Sequence, residues 1–254
     1  MNKVCIFTQT YSNDRKIIFD FHNYDNQDIY FRNNFDNLYV FHNCSDDYIK
    51  EIQNTKYLKS INNIKYLKYN NINYMESFKK TMNLIQNDYD YLMFIQDDCF
   101  TNTNDHLDEI VKFIINEDYL MLNLETELNI NKIYYKNNDF IVYDTNSVDF
   151  SNSIDDSNTY YNYDTSIKKH YWCFDDGPYV ANINFINKYL YDENYYNYTN
   201  ILDGEKYLMK KINNNPIQRL TMNKYLYKRR NIVGPHVENL NSEMIYLKNR
   251  FKNI

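Results

Sequence analysis

The sequence predicts an α/β fold, with a largely parallel central sheet, helices on both faces and a small antiparallel hairpin region. Three observations predict it. Short β-branched and aromatic runs alternate with amphipathic stretches through the first half, the second half opens on a pair of alternating runs around a polar turn, and 254 residues suffice for one substantial core.

Residues 3–9 (KVCIFTQ) and 37–42 (NLYVFH) read as core strands of a parallel sheet, with a helix over 14–22 between them. Over 73–87, Met75, Phe78, Met82 and Ile85 fall at helical spacing, and Asn73 with Glu76 forms a capping-box pattern at the start. That helix leads into a strand over 91–95, followed by a helix over 105–116 and a strand over 119–124. Residues 132–136 and 139–143 alternate like a hairpin, and the polar, Ser/Asn/Asp-rich stretch 144–168 reads as a mobile loop. Helices are expected over 182–191 and 203–212, then a strand near 217–227. One domain is expected, with a first half of 1–125 and a second of 126–254.

Net charge is −6 and the 28 Lys and Arg are scattered, which excludes the basic stripe of a nucleic-acid binder. No apolar run approaches the roughly 18–20 residues of a membrane-spanning helix. The N-terminus lacks the pattern of a secretory signal, so the expectation is a soluble, cytoplasmic chain whose folded part starts at Met1. Cys5, Cys44, Cys99 and Cys173 show no CxxC spacing and read as reduced thiols. The 29 Tyr and the many Asn and Ile have the bias of an AT-rich coding sequence, so the Asn runs are solvated loop. Against that bias the three glycines, Gly177, Gly204 and Gly234, mark places where the backbone bends sharply or comes close to a ligand.

The most specific local signal is YLMFIQDDCF, an apolar strand running straight into Asp97 and Asp98. Adjacent carboxylates repel, and a divalent cation is the usual compensation. The alternative is a turn in which Asp caps the next helix. In open α/β sheets ligands bind beyond the carboxyl ends of the strands, where this pair falls.

A strand ending in Gln96-Asp97-Asp98, preceded by a helix and a Tyr-Asp-Tyr step, resembles the DXD region of GT-A glycosyltransferases. LYVFHNCSDD at 38–47 is similar to the segment of family 2 transferases in which a strand is followed by Asn-x-Ser-x-Asp, with Asn43, Ser45 and Asp47 in register. The resemblance implies a GT-A-like fold and a donor site for a nucleotide-sugar, a UDP-sugar being expected, with Mn2+ or Mg2+ as cofactor. It makes Thr8, Gln9, Thr10, Tyr11, Arg15, Asn43, Ser45, Asp47, Gln96 and Asp97 donor-site candidates, and Asp98 the metal ligand. Gln96 stands where the family usually has an acid. His236, in Gly234-Pro235-His236, lies late in the chain, where several such enzymes supply a metal-ligating imidazole.

Asp203-Gly204-Glu205-Lys206-Tyr207-Leu208 resembles the ED motif that opens a helix in inverting GT-A enzymes, with Glu205 at the general-base position and Gly204 replacing an acid. An acceptor hydroxyl needs such a base. The other assignment has Asp203 capping the helix and Glu205 complementing its dipole. Asp176 is the second candidate base, and Trp172 with Asp175 suits a sugar acceptor, an aromatic face beside carboxylates. The implied reaction is sugar transfer to a glycan or other hydroxyl acceptor. A GT-A-like binding module without turnover is the alternative. Another nucleotide-using enzyme is a third reading, though the glycines are too far apart for a Walker loop or a GxGxxG turn.

Overall fold

A computed structural model of the chain describes residues 3–11, 15–23, 28–97, 99–101, 107–116, 121–123, 133–136, 140–144, 178–199, 203–204, 207–208, 218–222 and 227–229. The first half is built around β1 (Val4–Tyr11), which pairs in parallel with β2 (Asp36–His42) on one side and β4 (Tyr91–Phe94) on the other. Outside β2 lies β3 (Ile64–Tyr69), also parallel, whose exposed lysines protect a sheet edge. Between the strands run α1 (Lys16–His22) and α2 (Ile29–Arg32), then α3 (Asp46–Gln53) and α4 (Lys56–Lys59), then α5 (Tyr74–Ile85).

Strand alternation sends side chains to both faces of the sheet. Cys5, Phe7, Leu38, Val40, Leu92 and Phe94 pack against Met75, Phe78, Met82 and Ile85 of α5. On the other face, Val4, Ile6, Tyr91 and Met93 meet Phe31, Val111 and Ile114, the last two from α6 (Leu107–Asn116). Tyr39 and Phe41 meet Phe19 and the buried residues of α3 and α4. The expected cap is present: the Asn73 side chain accepts from Glu76 N at 2.8 Å.

The sheet continues through an antiparallel strand, β9 (Tyr179–Asn182), inserted between β4 and β6 (Met121–Asn123). Beyond β6 lie β10 (Gln218–Met222), β8 (Phe140–Asp144) and β7 (Ile133–Lys136), giving a nine-stranded order β3-β2-β1-β4-β9-β6-β10-β8-β7. The β7–β8 pair is the expected hairpin, with an irregular register between Ile133 and Tyr135. A separate ribbon joins β5 (Cys99–Thr101) to β11 (Tyr227–Arg229), so the patch expected as one strand over 217–227 is divided between two sheets.

The helix expected over 182–191 is shorter and irregular. Asn182 ends β9 and its side chain caps α7 (Ile183–Phe185), which widens into a π-helical stretch, Ile186–Leu190. Its closing bond runs from Tyr191 N to the Ile186 carbonyl at 2.7 Å, and Tyr191 packs its ring on Phe78 and Tyr195. A short α8 (Glu193–Tyr196) follows, capped by Asp192. Residues 203, 204, 207 and 208 are helical. The stretch 145–168 lies outside the described residues. Among the described residues no helix is long and apolar enough to cross a membrane.

Candidate functional site at the carboxyl ends of β1 and β4

Strand order fixes where a ligand site can form. From β1 the chain moves outward to β2 and β3, then returns to β4 on the other side of β1. The crevice outside the carboxyl ends of β1 and β4 is therefore the switch point at which open α/β sheets bind ligands. Asp97 follows β4 and Arg15 follows β1, so each strand delivers one charged residue there.

The two charges meet. Arg15 Nε donates to Asp97 Oδ2 at 2.8 Å and Nη2 to Oδ1 at 2.6 Å, a bidentate fork, with Arg15 4% and Asp97 3% exposed. This corrects one premise of the sequence argument. The charge of Asp97 is compensated by a guanidinium, and both its carboxylate oxygens are engaged. Asp98 and His236, the residues assigned to the metal, lie outside the described residues. Among the described residues, no group of three or more His, Cys, Asp or Glu is placed to hold a metal ion.

Asp97 is held from a second direction. His22, at the end of α1, approaches the Asp97 carbonyl oxygen with Nε2 at 2.6 Å; a carbonyl only accepts, so Nε2 carries the proton. The imidazole stacks on Tyr57, with ring centroids 4.4 Å apart and 17° between planes. Tyr57 donates its hydroxyl to Asp28 Oδ2 at 2.6 Å, Arg32 Nε donates to the same oxygen at 2.6 Å, and Arg32 Nη1 reaches Thr8 Oγ1 at 3.2 Å. Buried polar groups thus link α1, α2, α4, β1 and the end of β4.

His22 was not singled out by the sequence argument. A usable signal existed, because Arg15, Phe19 and His22 recur at i, i+4 and i+7 and share one helical face. Burial lowers the His22 pKa below its ordinary value; Asp28, the hydrogen bond to the Asp97 carbonyl and the charge of Asp97 act in the opposite sense, and Arg32 adds to the lowering. The sign of the pH effect follows. An unfolded imidazole takes up its proton near about pH 6.5, whereas the folded one resists it. Stability should be whole above that pH and decline below it, by at most about 1.4 kcal/mol per pH unit from this group. Urea unfolding at about pH 7.5 and 5.5 measures the effect: the unsubstituted chain should lose more stability than His22→Phe, and parallel losses would exclude the imidazole as the cause.

The remaining donor-site candidates have varied surroundings. Gln9 points to the α5 face and donates to Ser77 Oγ at 2.7 Å. Thr8 accepts from Arg32 on the other face, and Thr10 is fully buried. Tyr11 ends β1 opposite His42. Asn43 adopts φ 55° at the end of β2; its side chain accepts from Asn71 N at 2.9 Å and donates to the Ile72 carbonyl at 3.3 Å, which pins the β3–α5 turn. Ser45 caps α3 by accepting from Tyr48 N at 3.2 Å, and Asp47 lies exposed in the first turn of that helix. Asn43 and Ser45 thus have local structural work in this chain. Gln96 is half-buried just before Asp97. Burial pushes the nearby Cys44 thiol up to about 12, with the charge of Asp97 adding to it, so Cys44 is a neutral thiol within the core.

In the second half of the chain, Gly204 is buried, and a Cβ there would lie 3.0 Å from Tyr195 Cε2 and 3.4 Å from Met75 Cε. The sparing use of glycine here answers a close approach to an aromatic ring. Leu208 joins the same core cluster as Met75 and Tyr195. Glu205, Asp176, Trp172, Asp175, Gly177 and Gly234 lie outside the described residues.

No protein-family model matches the chain, and no curated protein matches it in sequence. Among solved structures, the TarS fragment 1–349 of S. aureus is similar with a TM-score of 0.55 at 12% identity, over 97% of this chain and 64% of that one. The chain therefore spans less than two thirds of the TarS fragment. The 4-diphosphocytidyl-2C-methyl-D-erythritol synthase of Anaerococcus prevotii is similar with a TM-score of 0.52 at 11% identity, over 97% of this chain and 96% of that one. At such identities the likeness is one of fold. The chain has a mixed α/β, GT-A-like fold.

Proposed function

We propose that the chain is a metal-dependent glycosyltransferase that moves a sugar from a nucleotide-sugar, a UDP-sugar in the first instance, to an acceptor hydroxyl with inversion. The observation that carries this reading is the meeting of Arg15 and Asp97 at the β1/β4 switch point, one residue before Asp98. In this reading the first half of the chain binds the donor and the second half the acceptor. Tyr11, Asn43, Ser45, Asp47 and Gln96 are the candidates for the nucleoside, from the ends of β1, β2 and β4 and the start of α3, while Thr8, Gln9 and Thr10 support them from within the sheet.

Asp98 and His236 are the residues that would hold Mn2+ or Mg2+, leaving Asp97 to Arg15. When bound, such an ion neutralises charge on the leaving diphosphate. Glu205, or in second place Asp176, takes the proton from the acceptor hydroxyl, and Trp172 with Asp175 orients the acceptor. Asp98→Ala should abolish metal-dependent donor binding while the fold remains, because the removed charge opposes that of a neighbouring carboxylate. Calorimetric titration of UDP-sugar with and without Mn2+ reads this; unchanged affinity in Mn2+ would remove Asp98 from the metal site.

The same fold admits a second reading, transfer of a nucleotidyl group. Product analysis separates the two: release of nucleoside diphosphate supports sugar transfer, and release of inorganic diphosphate from a nucleoside triphosphate supports nucleotidyl transfer. Nucleotide binding with neither product would leave a binding module.

A further inference from the structure

The Asp97 carbonyl belongs to the peptide bond that leads into Asp98. That carbonyl is the acceptor for His22 Nε2 at 2.6 Å, while the carboxylate of the same residue is forked by Arg15. A residue fixed at both its side chain and its carbonyl has the plane of its outgoing peptide bond fixed as well. His22 is itself fixed: it is 3% exposed, stacked on Tyr57, and Tyr57 is tied through Asp28 and Arg32 to Thr8 of β1. The bonded chain therefore runs from the central strand, beneath the site, back to the peptide bond in front of Asp98.

We propose that His22 is a positioning residue for the sugar-transfer site, holding the carbonyl of Asp97 and with it the peptide bond that leads on to the proposed metal ligand, Asp98. The proposal rests on the sugar-transfer reading above for its functional consequence and on the geometry of Asp97 for its cause. It assigns His22 no proton transfer and no contact with substrate. A group that orients a ligand from behind commonly matters almost as much as the ligand itself.

The test uses the full chain. His22→Phe preserves a ring against Tyr57 and removes the N–H; His22→Gln retains an N–H of similar reach. Mn2+ affinity in the presence of UDP, read by calorimetry or spin resonance, should fall about 10- to 100-fold in His22→Phe, with turnover falling alongside it. UDP affinity without metal should hold, and His22→Gln should recover most of the loss. Wild-type Mn2+ affinity in a folded His22→Phe overturns the proposal. Equal losses in both variants that track their unfolding temperatures overturn it too, because packing alone then explains them. Should His22→Phe fail to fold, the imidazole nitrogen shifts of His22 in the unsubstituted chain should move on adding Mn2+ and UDP, and fixed shifts overturn it. If the unsubstituted chain neither binds Mn2+ nor turns over a donor, the sugar-transfer reading has failed. The grip itself is then read from amide exchange over 95–101, which should quicken at least about tenfold in His22→Phe. Unchanged exchange leaves no grip to propose.

Discussion

Arg15→Met should destabilise the fold by about 3–5 kcal/mol, because it leaves the Asp97 carboxylate buried without its guanidinium. That is a large share of the about 5–15 kcal/mol that holds a typical domain folded. The same physics predicts partial rescue. In Arg15→Met/Asp97→Asn the charge is gone, and replacing a buried ion pair by groups of similar volume is far milder than removing one partner. Urea unfolding of the two single variants and the double variant closes the cycle. A single Arg15→Met within about 1 kcal/mol of the unsubstituted chain would show that solvent or another cation reaches Asp97, and that the fork is dispensable.

Glu205→Gln should leave nucleotide-sugar affinity nearly unchanged and lower turnover by about 10² to 10⁴, the range for a base that acts only in the transition state. Gly204 sits close against Tyr195 and Met75, and Leu208 belongs to the same core cluster. Steady-state kinetics with a saturating donor, together with direct titration of UDP, separates binding from chemistry. Full activity in Glu205→Gln, with loss in Asp176→Asn, would transfer the role to the DDGP segment. Inactivity of the unsubstituted chain on every donor it binds would favour the binding module.

Elements with a long period or a sharp boundary were legible in the sequence. The α5 helix announced itself through Met75, Phe78, Met82 and Ile85 and through Asn73, and the hairpin through its alternation. Residues 48–72 received no assignment, yet they form most of α3, all of α4 and β3. Their buried residues, Tyr48, Ile49, Ile52, Tyr57, Leu58 and Ile61, are interleaved with Lys, Glu and Gln, so no apolar run forms. β9 escaped for a different reason. It is four residues long and buried in the sheet centre, too short for any period to show. In the site, the strand end at Asp97 was legible because it is local. The Arg15 fork and the His22 bond were not, because they join residues 82 and 75 positions apart, a distance over which periodicity carries no information.

The placement of β9 also bears on how the chain is made. The strands β1 to β4 find their partners for one another within the first 94 residues, so that part of the sheet can assemble while the nascent chain is still being extended. The far side of β4 cannot be covered until Asn182 has left the ribosome, since Tyr91 pairs with that residue and β6 meets the rest only through β9. Until then Leu92 and Met93, both fully buried in the finished protein, belong to a strand with an open edge. Such an edge is a template for pairing with another chain. Translation that stalls before residue 182 would therefore release a half-sheet prone to self-association, and a chaperone that holds β4 until β9 arrives would raise the yield of native protein.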